Sequence, residues 1–407
     1  MSYWPMLAAE ESGKGMSFRP GPFRNPYSEV PGATSLRKDA GRRVIITVSP
    51  NGPQAEASMS TVAAAPAYVA PGWLRSRRFD LWFCCGPAAL ALLAGAALVG
   101  RPQLFLLILL GDYWILSYHH VIATFTRLCF DAESFRAHRF LVLGLPVILV
   151  VSILLLMVTA GPWAVVSVYF YWQWWHTTRQ SYGIAQAYRR KAGNLITEDA
   201  RWNEIGLYLL PLWGILYRSY QAPSTFLTFP LKVAPVPAAV VNLVGFLALL
   251  YVAWWLAGRL VAWWQGRLPV AHTLYVLSHF VMFYVGYILI ADVNQGWVVS
   301  NIWHTGQYLM FVWMFNTNRF RPGVDARAKF LSTISQPRNA WFYFLALLTI
   351  STSVYFVVAQ LVGSAAQNGL LAALLVYQTI NFHHFIVDTV VWKMRRKEVA
   401  STLGLVR

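Results

Sequence analysis

Apolar residues in this chain come in long, nearly unbroken runs rather than in the alternating or three-to-four spacing of a soluble fold. A bilayer-spanning helix needs about 20 mostly apolar residues. Ten windows meet that description, at roughly 81–100, 103–127, 140–160, 163–188, 202–219, 236–264, 271–291, 296–317, 340–362 and 369–392. The fifth is short, with Glu204 near its start and Pro211 in its middle, which predicts a kinked or re-entrant segment. The pattern predicts an all-α fold: a polytopic transmembrane helix bundle of about ten spans over residues 79–397.

Residues 1–78 break the pattern. They are rich in Pro, Gly, Ser and Ala, have no sustained apolar period, and read as a disordered tail. They also lack the basic-then-apolar pattern of a signal peptide. Met59 stands just before the first span and reads as a natural start, making residues 1–58 an over-long extension. Residues 398–407 read as a short cytoplasmic tail.

The breaks between windows decide orientation. Arg75, Arg77 and Arg78 precede the first window; Arg127, Arg136 and Arg139 follow the second; Arg189, Arg190, Lys191 and Arg201 follow the fourth. Arg267 follows the sixth, Arg319, Arg321, Arg327, Lys329 and Arg338 the eighth, and Lys393, Arg395, Arg396 and Lys397 the tenth. The intervening breaks hold little more than Arg101, Arg218 and Lys232. Under the positive-inside rule this alternation places both termini in the cytoplasm. It also explains the formal net charge of +17 without nucleic acid, because the basic residues sit where topology demands them. With 57% hydrophobic residues and a mean hydropathy of +0.46, the chain belongs to the multi-pass membrane class, with the lipid bilayer as its first partner. A bacterial inner membrane is the default setting. Cys84, Cys85 and Cys129 form no CxxC, so neither a disulfide framework nor a zinc–thiolate site is expected.

Seven of the nine histidines lie well inside the apolar windows, His272 standing only at the edge of one: His119, His120, His176, His279, His304, His383 and His384. A polar ionisable group in hydrocarbon is costly, so such residues face a bundle interior and mark function. A single one is more often a helix–helix hydrogen-bonding group; seven on five windows favour a metal or haem site. Counted from the basic breaks, they fall in a layer roughly 10–22 Å deep. His384 and Asp388 stand one turn apart on one helix face, so the carboxylate serves as ligand or as orienter of the imidazole. Trp175-His176-Thr177 recurs as Trp303-His304-Thr305. Arg179, Gln180 and Gln307 are candidates for contacting the ligands or oxygen-derived species, and His272, at a helix end, reads equally as interfacial residue or ligand.

Histidine-rich clusters with few carboxylates suit iron, copper or zinc. Five windows contribute, more than the two a bis-histidine haem needs, which favours non-haem iron; seven histidines with Asp388 suffice for two irons. The expected function is that of a metal-dependent oxygenase acting on a hydrophobic small-molecule substrate and drawing on an electron donor. The rivals are a haem electron-transfer protein and a proton-coupled transporter with a histidine relay. In hydropathy and in the scatter of single histidines over several spans, the chain resembles the histidine-rich integral-membrane non-haem iron oxygenases. Among them the Brp/Blh-type carotene dioxygenases are nearest in style. The resemblance implies a helical fold, an iron centre and redox chemistry on a lipid or isoprenoid. It does not extend to the desaturase pattern of HxxxH and HxxHH boxes: the residues three before His119 and His383 are Leu116 and Ile380.

Overall fold

The computed structural model describes residues 38–39, 42–43, 72–365 and 369–405. The expected tail therefore lies outside the described residues, apart from one antiparallel pair, Lys38–Asp39 with Arg42–Arg43, and its last residues, 72–78. The chain divides into a unit over residues 1–68 and a unit over residues 69–407. The second is helical with almost no strand.

Each expected window falls on a long helix. These are α1 Arg77–Gly100, α2 Pro102–Phe125, α3 Ala132–Ala160, α4 Pro162–Ala192, α5 Ala200–Tyr220, α6 Ala238–Trp264, α7 Val270–Leu289, α8 Val293–Arg319, α9 Pro337–Leu361 and α10 Gly369–Val391. Seven are long and apolar enough to cross a membrane, which makes this a multi-pass membrane protein. The other three, α4, α5 and α8, fall short because they carry polar residues inward. On α8 the residues Ser300, Asn301, His304, Thr305, Gln307 and Asn316 are all buried. The outer helices show the reverse: only 17% of the apolar windows of α3 and α9 is buried, against 56% for α7. Their Leu, Val and Phe side chains face outward, as in a bundle whose solvent is lipid.

Pro211 does not break α5. It sits buried within the helix, and its carbonyl accepts a hydrogen bond from the Trp174 indole N–H at 2.9 Å. Near the end of α5 the buried Arg218 reaches across to α7 and the turn that follows it. It donates to the carbonyls of Gly286 (2.9 Å), Ile290 (2.6 Å) and Ala291 (2.8 Å). These are carbonyls that a helix end leaves without partners. Gly286 and Gly296 allow this junction, because a Cβ on either would collide with the facing backbone or with Arg218.

At the opposite, basic end, Ser76 caps α1, and the backbone N–H groups of Leu74, Arg75 and Ser76 bind the Asp80 carboxylate. Asp131 caps α3 and pairs with Arg319 at 3.0 Å. The C-terminal helix Lys397–Thr402 docks here: Val399 and Leu403 are buried, and Glu398 pairs with Arg127 at 3.0 Å.

Candidate metal centre

Four histidines from four helices converge: His120 of α2, His176 of α4, His304 of α8 and His384 of α10. Their ring centroids lie 4.7 Å apart for His120–His384, 4.8 Å for His176–His384, 5.1 Å for His176–His304 and 5.6 Å for His120–His304. Asp388 joins them, with its Oδ2 3.6 Å from His384 Nε2 and 4.0 Å from His176 Nε2. All five residues are buried. Two groups of three place their donor atoms within 4.8 Å of one another: His120, His304 and His384, and His176, His384 and Asp388.

Hydrogen bonds fix which ring atom His120 and His384 turn to the centre. His120 Nδ1 lies 2.5 Å from the Ser117 carbonyl. A carbonyl only accepts, so Nδ1 carries the proton and Nε2 keeps its lone pair. Ser117 closes a π-helical turn, Asp112–Ser117, a distortion frequent at functional sites. His384 Nδ1 lies 2.9 Å from Thr124 Oγ1, which leaves His384 Nε2 buried without a partner. Asp388 Oδ1 accepts from the Tyr308 hydroxyl at 2.8 Å, and Trp392 Nε1 donates to that hydroxyl at 2.9 Å. Asp388 Oδ2 and His176 Nε2 are likewise buried and unpaired. Each such atom costs about 1–3 kcal/mol if it stays unsatisfied. Three of them aimed at one another are what a cation would repair.

A shared register runs through the four helices. Seven residues before each histidine stands an aromatic: Tyr113, Tyr169, Trp297 and Tyr377. Three before stands a buried polar residue: Ser117, Gln173, Asn301 and Asn381. Four after stand Thr124, Gln180, Tyr308 and Asp388. On a helix these offsets share one face, about 10 Å, 4.5 Å and 6 Å from the histidine. The levels also touch. Tyr113 lies 6.1 Å from Trp297 and 5.8 Å from Tyr377 by ring centroids, and Tyr169 lies 6.2 Å from Tyr377. Asn301 donates to Ser117 Oγ (2.7 Å) and to Asp112 Oδ2 (2.6 Å). α2, α4, α8 and α10 therefore run in the same direction, and the histidines form one level of a layered polar core.

The structure does not bring the other predicted residues to this level. His279 is satisfied at both nitrogens: Ser181 Oγ stands 2.8 Å from Nδ1, and Nε2 donates to the Leu207 carbonyl at 3.0 Å. His383 donates to the Leu141 carbonyl at 2.7 Å and stacks on Phe125. His119 donates to the Ile115 carbonyl at 3.2 Å and meets Phe344 edge-on. Arg179 is exposed, bonded to the Tyr208 hydroxyl at 2.6 Å and lying over the Tyr182 ring. Gln180 keeps a place on the inner face, with its Oε1 buried and unpaired; Gln307 is buried one turn beyond His304, its Nε2 unpaired. His272 is buried with neither ring nitrogen bonded. In the two Trp-His-Thr segments the histidines and threonines are buried alike, but the tryptophans differ: Trp303 is fully buried and Trp175 is exposed.

No family model, curated protein or solved structure matches the chain.

Proposed function

We propose that this is a ten-span membrane protein, with both termini cytoplasmic, whose four inner helices hold one redox-active metal ion for oxidation of an apolar substrate. The observation that carries the reading is the convergence of unpaired His176 Nε2, His384 Nε2 and Asp388 Oδ2 with His120 and His304. Ligand bonds of about 2.0–2.1 Å would draw these donors slightly inward. The His176, His384 and Asp388 group has the two-histidine, one-carboxylate composition favoured by non-haem iron(II), and His120 and His304 would complete the coordination. Iron so held supplies one-electron chemistry and activation of dioxygen.

One ion is favoured over two because both donor groups share His384. Its Nδ1 is engaged with Thr124, so a single lone pair remains for a metal. A haem fits less well: the levels carrying Ser117, Asn301, Thr124 and Tyr308 pack directly above and below the histidines.

The chain's own residues have assignable parts. Thr124 and Ser117 orient the imidazoles, Tyr308 and Trp392 hold Asp388, and Phe385 stacks on His176 at 4.4 Å and shields it. Metal analysis and a visible spectrum of the detergent-purified protein test the reading. One iron per chain without a Soret band, lost in His384→Ala while the variant still inserts, is the expected result. Stoichiometric haem would move the protein to electron transfer. Absence of any stoichiometric metal would make the histidine level a proton relay.

A further inference from the structure

Tyr308, on α8, stands one turn beyond His304 and packs on the histidine level from the basic side. Its ring centroid lies 5.5 Å from that of His384 and 5.7 Å from that of His120. Its hydroxyl meets Thr124 Oγ1 at 2.6 Å, Asp388 Oδ1 at 2.8 Å and Trp392 Nε1 at 2.9 Å. With His384 Nδ1 protonated, the hydrogens of this group have one consistent arrangement. An indole N–H only donates, so Trp392 gives to Tyr308. Thr124 accepts from His384 and passes its own hydrogen to Tyr308, which is nearer than Asp388 Oδ1 at 3.3 Å. The Tyr308 proton is left pointing at the Asp388 carboxylate. Such a phenol can lose an electron and a proton together, because a base within hydrogen-bond reach takes the proton as the electron leaves. Tyr188 makes a like bond to Asp80, but backbone N–H groups hold both oxygens of that carboxylate, and Tyr188 packs on Phe83 and Tyr275 rather than on the histidines.

Trp392 supplies a way out. It follows the last residue of α10, is partly exposed, and is succeeded by Lys393, Arg395, Arg396 and Lys397. Its ring centroid lies 6.3 Å from that of Tyr308, and Phe311 and Phe315 enclose it edge-on at 5.2 Å and 5.0 Å. The Arg127 guanidinium lies 5.7 Å from the ring, a charge that would oppose a cation on the indole, but Glu398 pairs with it at 3.0 Å. Aromatic rings this close exchange electrons readily.

We infer that Tyr308 is a redox-active tyrosine and that Trp392 connects it electronically to the basic end. An oxidising equivalent at the histidine level takes one electron from Tyr308. The phenolic O–H bond breaks, a carboxyl O–H forms at Asp388 Oδ1, and a neutral phenoxyl radical remains. Trp392 then returns one electron, the proton moves back from Asp388 to the phenoxyl oxygen, and an indole radical cation remains. A one-electron reductant of the flavin or iron–sulfur class, acting at the basic end, restores the indole. Use of this relay in turnover rests on the metal reading. The redox activity of the pair does not, since it needs only Tyr308, Asp388 and Trp392.

The test therefore uses full-length protein in nanodiscs after chelator treatment. A water-soluble ruthenium polypyridyl is flashed with persulfate as sacrificial electron acceptor, and the trapped radicals are read by electron paramagnetic resonance. The oxidised ruthenium complex takes an electron from Trp392, and Tyr308 refills it while losing its proton to Asp388. A ring-fluorinated tyrosine in place of Tyr308 marks the radical without changing the fold, so the signal should carry fluorine splittings. Trp392→Phe should remove that split signal. Asp388→Asn, which keeps an oxygen for the hydrogen bond but cannot take the proton, should leave an indole signal in its place. A tyrosyl signal without fluorine splittings would overturn the assignment of Tyr308. A split signal undiminished in Trp392→Phe or in Asp388→Asn would overturn the relay. Failure to find a metal would leave each of these outcomes readable.

Discussion

Replacing Thr124 by valine is the sharpest perturbation of the centre, because it keeps the shape and removes one oxygen. That oxygen lies 2.9 Å from His384 Nδ1, 2.6 Å from Tyr308 Oη and 3.3 Å from Asp388 Oδ1. On the proposed reading His384 Nε2 would face the metal, so that Nδ1 carries the proton and donates to Thr124. In Thr124→Val the ring keeps its place in the packing but loses the bond that fixes its tautomer and angle. Losing such an orienting partner weakens metal binding by about 10- to 100-fold, or roughly 1.4–2.7 kcal/mol. The metal-free protein loses about 1–3 kcal/mol as well, since a buried N–H is left unpaired. Competition with a chelator of known affinity measures the first effect, and detergent-based unfolding of stripped protein measures the second. Thr124→Ser should restore both. Native metal affinity in Thr124→Val, or a serine variant as weak as the valine one, would refute the orienting role.

Other substitutions separate the centre from its surroundings. His279→Ala should keep the full metal content yet melt earlier, by about 1–3 kcal/mol, because Ser181 and the Leu207 carbonyl lose their partner. Arg218→Met should cost about 3 kcal/mol or more, or block folding, by stripping Gly286, Ile290 and Ala291 of their shared donor; protease resistance in detergent would show it. Asp131, at the basic end, feels burial, which opposes ionisation. The Ser134 N–H and hydroxyl and the Arg319 guanidinium outweigh it, holding the carboxyl below its ordinary range. A depressed folded value means the stabilisation is complete above the unfolded value, near pH 4, and is lost as pH falls through the folded one. The stability gap between native protein and Asp131→Asn should therefore be full at pH 7 and close on acidification, as read by denaturation at each pH.

Helices were legible from hydropathy because burial in lipid demands long apolar runs, and every window fell on one. What hydropathy could not show is which helices lie inside: α8 reads as weakly apolar although it is the most enclosed. Within each histidine pair the choice also looked open. Yet the register that decides it is written in the chain. His120 and His384 have tyrosines seven before and polar residues three before, whereas His119 has Asp112 and Leu116, and His383 has Val376 and Ile380. His279 fails the same test, with His272 and Val276 at those offsets. Thr124 carried no such signal, since a threonine in a span is an ordinary helix–helix contact until its partners are known.

The inner level takes its donors from α2, α4, α8 and α10, spread over most of the chain length from His120 to Asp388. During synthesis, α2, α4 and α8 are made before α10 exists, and without α10 neither His384 nor Asp388 is present. Both donor groups need His384. On the proposed reading, a nascent chain thus has no competent cradle until α10 has docked. Under the metal reading, loading follows the docking of α10: a chain that stalls or misroutes α10 lacks His384 Nε2 and Asp388 Oδ2 and keeps His176 Nε2 as the one orphaned donor of the three.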